Sequence, residues 1–137
     1  MKENNTENNI LSLAEASAEE KAHAIFNILN DKKGINIQVF HVPEVSEITD
    51  YVILATGTSS THIQTMAGEL EFKMSQYGAG PDHMEGRDNN AWIVLDFSHV
   101  IVHIMSRDAR EFYSLEKLYG EVEPLDFRPA EETEEKE

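Results

Sequence analysis

Residues 92–105 read WIVLDFSHVIVHIM, and the arrangement of this stretch decides the fold. Two runs rich in apolar and β-branched residues, 92–97 and 100–105, flank Ser98 and His99, so the segment is expected to double back as a two-residue hairpin. In that register Phe97 lies opposite Val100, Asp96 opposite Ile101, Leu95 opposite Val102, Val94 opposite His103, Ile93 opposite Ile104 and Trp92 opposite Met105. Side chains alternate along a strand, which gives the pair two faces of different character. One collects Ile93, Leu95, Phe97, Val100, Val102 and Ile104, carries no polar group, and is expected to lie beneath helices. The other collects Trp92, Val94, Asp96, Ile101, His103 and Met105, too polar for an ordinary core and too apolar for an idle surface. Aromatic and methionine side chains are enriched where proteins meet, and an aspartate beside them suits a basic group on a partner. A second buried layer, in which Asp96 and His103 find hydrogen-bond partners, and a contact between two copies of the chain are the competing readings of this face.

Downstream of the hairpin, Asp108 followed by Glu111 can cap a last helix in which Phe112, Leu115 and Tyr119 share a face until Gly120 closes it. Upstream, past a loop through Gly86, Asn89 and Asn90, Ile63, Met66, Ala67, Leu70, Met74 and Tyr77 form one helical stripe, with caps available at residues 58–61 and a stop at Gly78, Gly80 and Pro81. Residues 51–55 are apolar throughout, which suits a central strand covered on both sides and broken by Gly57. Ile35, Ile37 and Val39 alternate with Asn36 and Gln38, the pattern of a strand with one buried face. Ser17 and Glu20 can form a capping box for a first helix that carries Ala18, Ala22, Ile25 and Leu29 and stops at Gly34; Ser12 with Glu15 offers an earlier start. Helices alternate with strands, yet a tight hairpin is included, so a compact α/β or α+β single domain with a mixed sheet and flanking helices is expected.

The chain of 137 residues is long enough for one core, and it carries a formal charge of -15. Residues 121–137 hold eight carboxylates against Arg128 and Lys136 and, with two prolines, read as an acidic disordered tail; the polar residues 1–9 read as another, leaving a domain over 10–120. A surface of this sign repels phosphate backbones and favours a basic protein partner at long range. Cysteine is absent, which removes disulfides, thiolate metal sites and thiol catalysis. No apolar run approaches the roughly 18 residues a bilayer demands, and residues 1–9 lack a signal-peptide core. A soluble, cytoplasmic protein without membrane contact is expected.

Enzymatic readings find little support. Residues 55–60, a strand end, a glycine and hydroxyl caps, could hold an anion, but they lack phosphate-loop and dinucleotide spacings, and no lysine or arginine stands between Tyr51 and Phe72. Nucleotidyl transfer needs two converging carboxylates on metal; Glu69 and Glu71 diverge on a helix, and Asp96 has no acidic neighbour one or two residues away in the chain. His99 and His103, four strand residues apart, are separated by about 13 Å, too far to share a zinc ion. No metal, cofactor or catalytic residue is therefore expected; a divergent nucleotidyltransferase-like enzyme binding a nucleotide at the glycine turn remains the alternative.

Five phrases in order, DYVILATGTSSTHIQ from Asp50, EG at Glu85, WIVLDF at Trp92, VIVHI at Val100 and REFYSLEKLYG at Arg110, resemble the ribosomal silencing factor, or Iojap-like, family over residues 17–120. The resemblance implies a fold like that of nucleotidyltransferases without their catalytic carboxylates. It also implies binding to the large ribosomal subunit, chiefly to its fourteenth protein and with little direct RNA contact, so that joining to the small subunit is obstructed and translation is repressed under nutrient limitation. A homodimer of the free protein is compatible with it. Carried onto this chain, the partner-binding candidates are Trp92, Asp96, His103 and Met105 on the hairpin and Tyr113 and Glu116 on the last helix. The chain departs from the family pattern at Asn90, at the Ser98–His99 turn and at Tyr119.

Overall fold

The computed structural model describes residues 13–42, 49–86, 88, 91–119 and 122–128. Ser17 opens the first helix: its hydroxyl accepts from the Glu20 amide at 3.1 Å, and the Glu20 carboxylate accepts from the Ser17 amide at 2.9 Å. This helix, α1 (Ala18–Asp31), buries Ala22, Ile25, Phe26, Ile28 and Leu29. The left-handed residue that follows is Lys33 (φ 67°), not Gly34. Gly34 sits in a tight space, since a Cβ there would stand 3.1 to 3.2 Å from the Leu29 carbonyl, Ile37 and Met66.

Next come β1 (Ile35–His41), β2 (Tyr51–Gly57), α2 (Ser60–Gln76), β3 (His83–Glu85), β4 (Trp92–Asp96), β5 (Val100–Ser106) and α3 (Arg107–Tyr113), with 3-10 turns at Leu13–Glu15 and Leu115–Tyr119. The strands form one sheet in the order β1-β2-β5-β4-β3. β2 and β5 run parallel and the other neighbours antiparallel, so the domain is α+β with a mixed sheet. All of β2 is buried, as its unbroken apolar run predicts. The hairpin of β4 and β5 has the expected register from Trp92–Met105 to Asp96–Ile101. Ser98 takes the positive φ of the turn, 75°, and the Phe97 amide donates to the Val100 carbonyl at 2.8 Å.

Three expectations are corrected. The alternation of β1 breaks at a bulge between Ile35 and Gln38, where Asn36 has φ 50°; Ile35 is exposed, and Val39 and Phe40 are both buried because the sheet is covered on each side there. The last helix is capped by Ser106, whose hydroxyl accepts from the Ala109 amide at 3.0 Å, not by Asp108. It ends at Ser114, in the left-handed region at φ 50°, so Phe112 does not share a face with Leu115 and Tyr119. Finally, the acidic segment does not begin as a free tail at 121. The Leu125 amide donates to the Val39 carbonyl at 2.7 Å, and the Phe127 ring stacks on His23 at 3.9 Å and meets the edge of Phe26 at 5.6 Å. The folded chain therefore extends to residue 128, and residues 1–9 and 129–137, the rest of the expected tails, lie outside the described residues.

The main core lies between one face of the sheet, including Ile53, Ile93, Leu95, Val102 and Ile104, and helices α1 and α2. Gly57 permits the close approach of α2, since a Cβ there would meet Ile63 at 2.6 Å. On the opposite face a smaller cluster, Phe40, Val42, Val52 and Leu54, is roofed by Leu115, Tyr119 and Val122. That roof packs on the β1–β2 side of this face. Among the described residues, no helix is long and apolar enough to cross a membrane.

Candidate functional site

Trp92, Val94, Asp96, Ile101 and His103 are all half-buried on the face opposite the helices, while their strand neighbours Ile93, Leu95, Val102 and Ile104 are fully buried on the helix side. The Trp92 indole N–H donates to Nδ1 of His103 at 3.0 Å, a cross-strand diagonal contact on this face. With Nδ1 accepting, Nε2 carries the proton of a neutral ring. Burial also pushes the His103 imidazole down to about 4, which keeps it uncharged at neutral pH. Tyr113, at the end of α3, packs its ring 4.6 Å from Trp92, and Phe112 meets Tyr113 edge-on at 4.9 Å. Phe112 is 80 % exposed, Tyr113 52 % and Leu118 69 %. An aromatic group of this size facing water suits a contact surface better than an isolated apolar residue would.

The candidate residues are thus divided by the structure. It brings Trp92, His103 and Tyr113 together. Met105 is fully buried and offers no contact area of its own. Asp96 sits at the far end of β4, about 13 Å along the strand from Trp92. There it accepts from the Ser98 amide at 3.0 Å, and the Ser98 hydroxyl donates to Asp82 at 2.6 Å, so its carboxylate also stabilises the hairpin turn. Glu116 accepts from Nε of Arg110 at 2.8 Å and serves as its counter-ion.

Sequence reasoning places Arg110 and Phe112 in the family's last-helix motif without a contact role, and does not single out Leu118. Arg110 is only 6 % exposed, and its Nη atoms donate to the Asn36 carbonyl at 2.7 Å, the Thr56 hydroxyl at 3.0 Å and the Gln38 side-chain oxygen at 2.8 Å. An arginine on a short charged helix carries no local signal of burial. Helical spacing carried across Ser114 groups Phe112 with Leu115 and Tyr119, but the helix ends there.

The alternative site at the glycine turn is a cleft of about 400 Å³ at the carboxyl ends of β2 and β5, into which the fold brings Arg107 and Asp108 beside residues 57–60. Its capping hydroxyls are already engaged: Ser59 accepts from the His62 amide at 3.1 Å and Ser106 from the Ala109 amide at 3.0 Å. Asp108 is the single carboxylate of its lining, and two-metal phosphoryl chemistry requires a converging pair. Among the described residues, no three histidine, aspartate or glutamate side chains converge to hold a metal ion.

The family described as "Ribosomal silencing factor during starvation" matches residues 15–137. The chain is 43% identical over 96 residues to the ribosomal silencing factor RsfS of Haemophilus influenzae, covering 70% of this chain and 94% of that protein. It is 32% identical to the protein of that name from Bacillus subtilis, over 72% of this chain and 85% of the relative. It is 31% identical to the mouse mitochondrial assembly of ribosomal large subunit protein 1, over 69% of this chain and 43% of that one. A crystal structure of a Chromobacterium violaceum protein superposes with a TM-score of 0.74 at 26% identity, covering 76% of this chain and 87% of the other.

Proposed function

The chain belongs to the ribosomal silencing factor family, and from that premise we propose that it binds the large ribosomal subunit in the cytoplasm, chiefly through the fourteenth protein of that subunit. Bound there, it obstructs joining to the small subunit and represses translation when nutrients are limiting, without catalysing a reaction. The observation that carries the reading is the exposed aromatic surface built by Trp92, Tyr113 and Phe112 on an acidic chain. Such a surface combines an apolar anchor with long-range attraction to a basic protein. The mouse relative, named for assembly of the ribosomal large subunit, supports that subunit as the partner. Trp92 is the anchor, His103 holds its indole, and Asp96 meets a basic group at the rim. A large subunit occupied at this position offers the small subunit no free joining surface.

The test is subunit joining followed by light scattering. A saturating excess of the protein is expected to slow joining and reduce the joined particle. Trp92→Ala should bind large subunits about 30-fold more weakly, near 2 kcal/mol, and inhibit correspondingly less. An unchanged joining rate under saturation would remove the inhibitor reading. Inhibition by Trp92→Ala equal to that of the unmodified chain would move the anchor elsewhere. A nucleotide whose binding depends on Arg107 would favour the cleft at the glycine turn.

A further inference from the structure

We propose that Arg110 is a positioning residue: its bond to Glu116 sets the angle at which Tyr113 meets Trp92, and so shapes the docking surface. This inference rests on the function proposed above. α3 has seven residues, too few to hold a helix by themselves in water, and the residue it buries is Arg110. A short helix usually docks through an apolar stripe. This one turns Phe112 and Tyr113 outward and is pinned through a guanidinium.

The fork of Arg110 reaches three other segments: Asn36 and Gln38 in the bulged start of β1, Thr56 near the end of β2, and Glu116 in the turn that follows α3. Only a planar group with several donors can bind acceptors spread in this way. The bulge in β1 contributes directly, because the backbone carbonyl offered to Arg110 is that of Asn36, the residue with positive φ.

Arg110 and Glu116 stand six residues apart, with Tyr113 midway between them. The Ser114 amide donates to the Arg110 carbonyl at 2.9 Å, and Ser114 adopts a left-handed conformation that a serine does not favour by itself. The side-chain bond closes a ring around this corner, and the guanidinium ties the ring to the sheet. Tyr113 projects from the corner onto Trp92. Removing the Glu116 side chain would leave the Nε–H of a buried guanidinium without its acceptor, and the corner is the part free to rearrange.

Trp92 is the sole tryptophan, so its emission reports the packing of Tyr113 without a ribosome present. Glu116→Ala is expected to shift that emission to the red and make it easier to quench, as Tyr113→Ala does, with cooperative melting retained. Affinity for isolated large subunits should fall about tenfold in each, and the double variant should lose no more than Tyr113→Ala alone. Glu116→Gln keeps an acceptor oxygen and should restore most of the signal, whereas Arg110→Lys keeps the charge without the fork and should not. Unchanged Trp92 emission in Glu116→Ala, or additive losses of affinity, overturns the proposal. Loss of cooperative melting in both Glu116→Ala and Arg110→Lys also overturns it, since Arg110 would then hold the whole fold and not one surface. Emission changes as described in a protein that does not bind large subunits would remove the functional reading and leave the positioning role intact.

Discussion

His103 accepts the Trp92 indole proton at Nδ1 and is held neutral by burial, with its pKa near 4 against an ordinary 6.5. Because that value is depressed, the unfolded chain binds more protons than the folded one between these limits, and stability rises with pH across them. The contribution is therefore complete above about pH 6.5 and is lost as pH falls through about 4, with a ceiling of roughly 3 kcal/mol. Carboxylates titrate in the lower part of the same window, so the comparison that isolates this residue is His103→Gln, which keeps an acceptor for the indole and does not titrate. Melting temperatures measured from pH 7.5 to 4.5 are expected to fall more steeply for the unmodified chain than for His103→Gln. Parallel curves would mean that His103 is as solvated folded as unfolded. Legibility at this scale was uneven: the alternation of β4 and β5 placed Trp92 and His103 on one face, but the cover over Met105 has no counterpart in that alternation.

Residues 122–128 behave as a strap that crosses the free edge of the sheet. Val122 packs on the Phe40 cluster, Leu125 bonds to β1 at Val39, and Phe127 reaches the helix side at His23 and Phe26. Edge strands with open amides and carbonyls invite pairing with other chains, and this strap partly closes the edge of β1. Removing residues 121–137 is expected to lower stability by about 2 kcal/mol, mostly through lost apolar burial, and Phe127→Ala should reproduce much of that loss. Removing only residues 129–137 is the control and should leave the melt unchanged. Equal melting temperatures for the full chain and the chain lacking 121–137 would show that the strap contributes nothing. Composition hides this element, since one phenylalanine and one leucine among prolines and carboxylates satisfy every criterion for a disordered tail.

At the scale of the whole molecule, the charge of -15 should act on the rate of encounter more than on the lifetime of the complex. Raising monovalent salt from about 0.05 to 0.3 M shortens the screening length from roughly 14 to 6 Å, and association with large subunits is expected to slow about tenfold while dissociation changes little. An association rate indifferent to salt would reduce the acidity to a device for solubility. A dissociation rate that carried the whole effect would place the charged contacts inside the interface, and Asp96 would be the residue to examine.

What the sequence determined by itself is local. Ser17 and Glu20 define the start of α1, the apolar run of β2 marks the centre of the sheet, and the alternating residues of β4 and β5 set the hairpin register even around an unusual Ser98–His99 turn. Each signal lies within one element, where side-chain periodicity and capping chemistry are sufficient. What only the tertiary structure decided are contacts between segments far apart in the chain. Arg110 meets Asn36 across 74 positions, Glu116 becomes its counter-ion instead of a free carboxylate, Met105 is covered, Phe112 turns outward and residue 125 returns to β1. The physical reason is that a side chain's burial depends on what the fold brings over it, and no spacing along a single helix or strand records that.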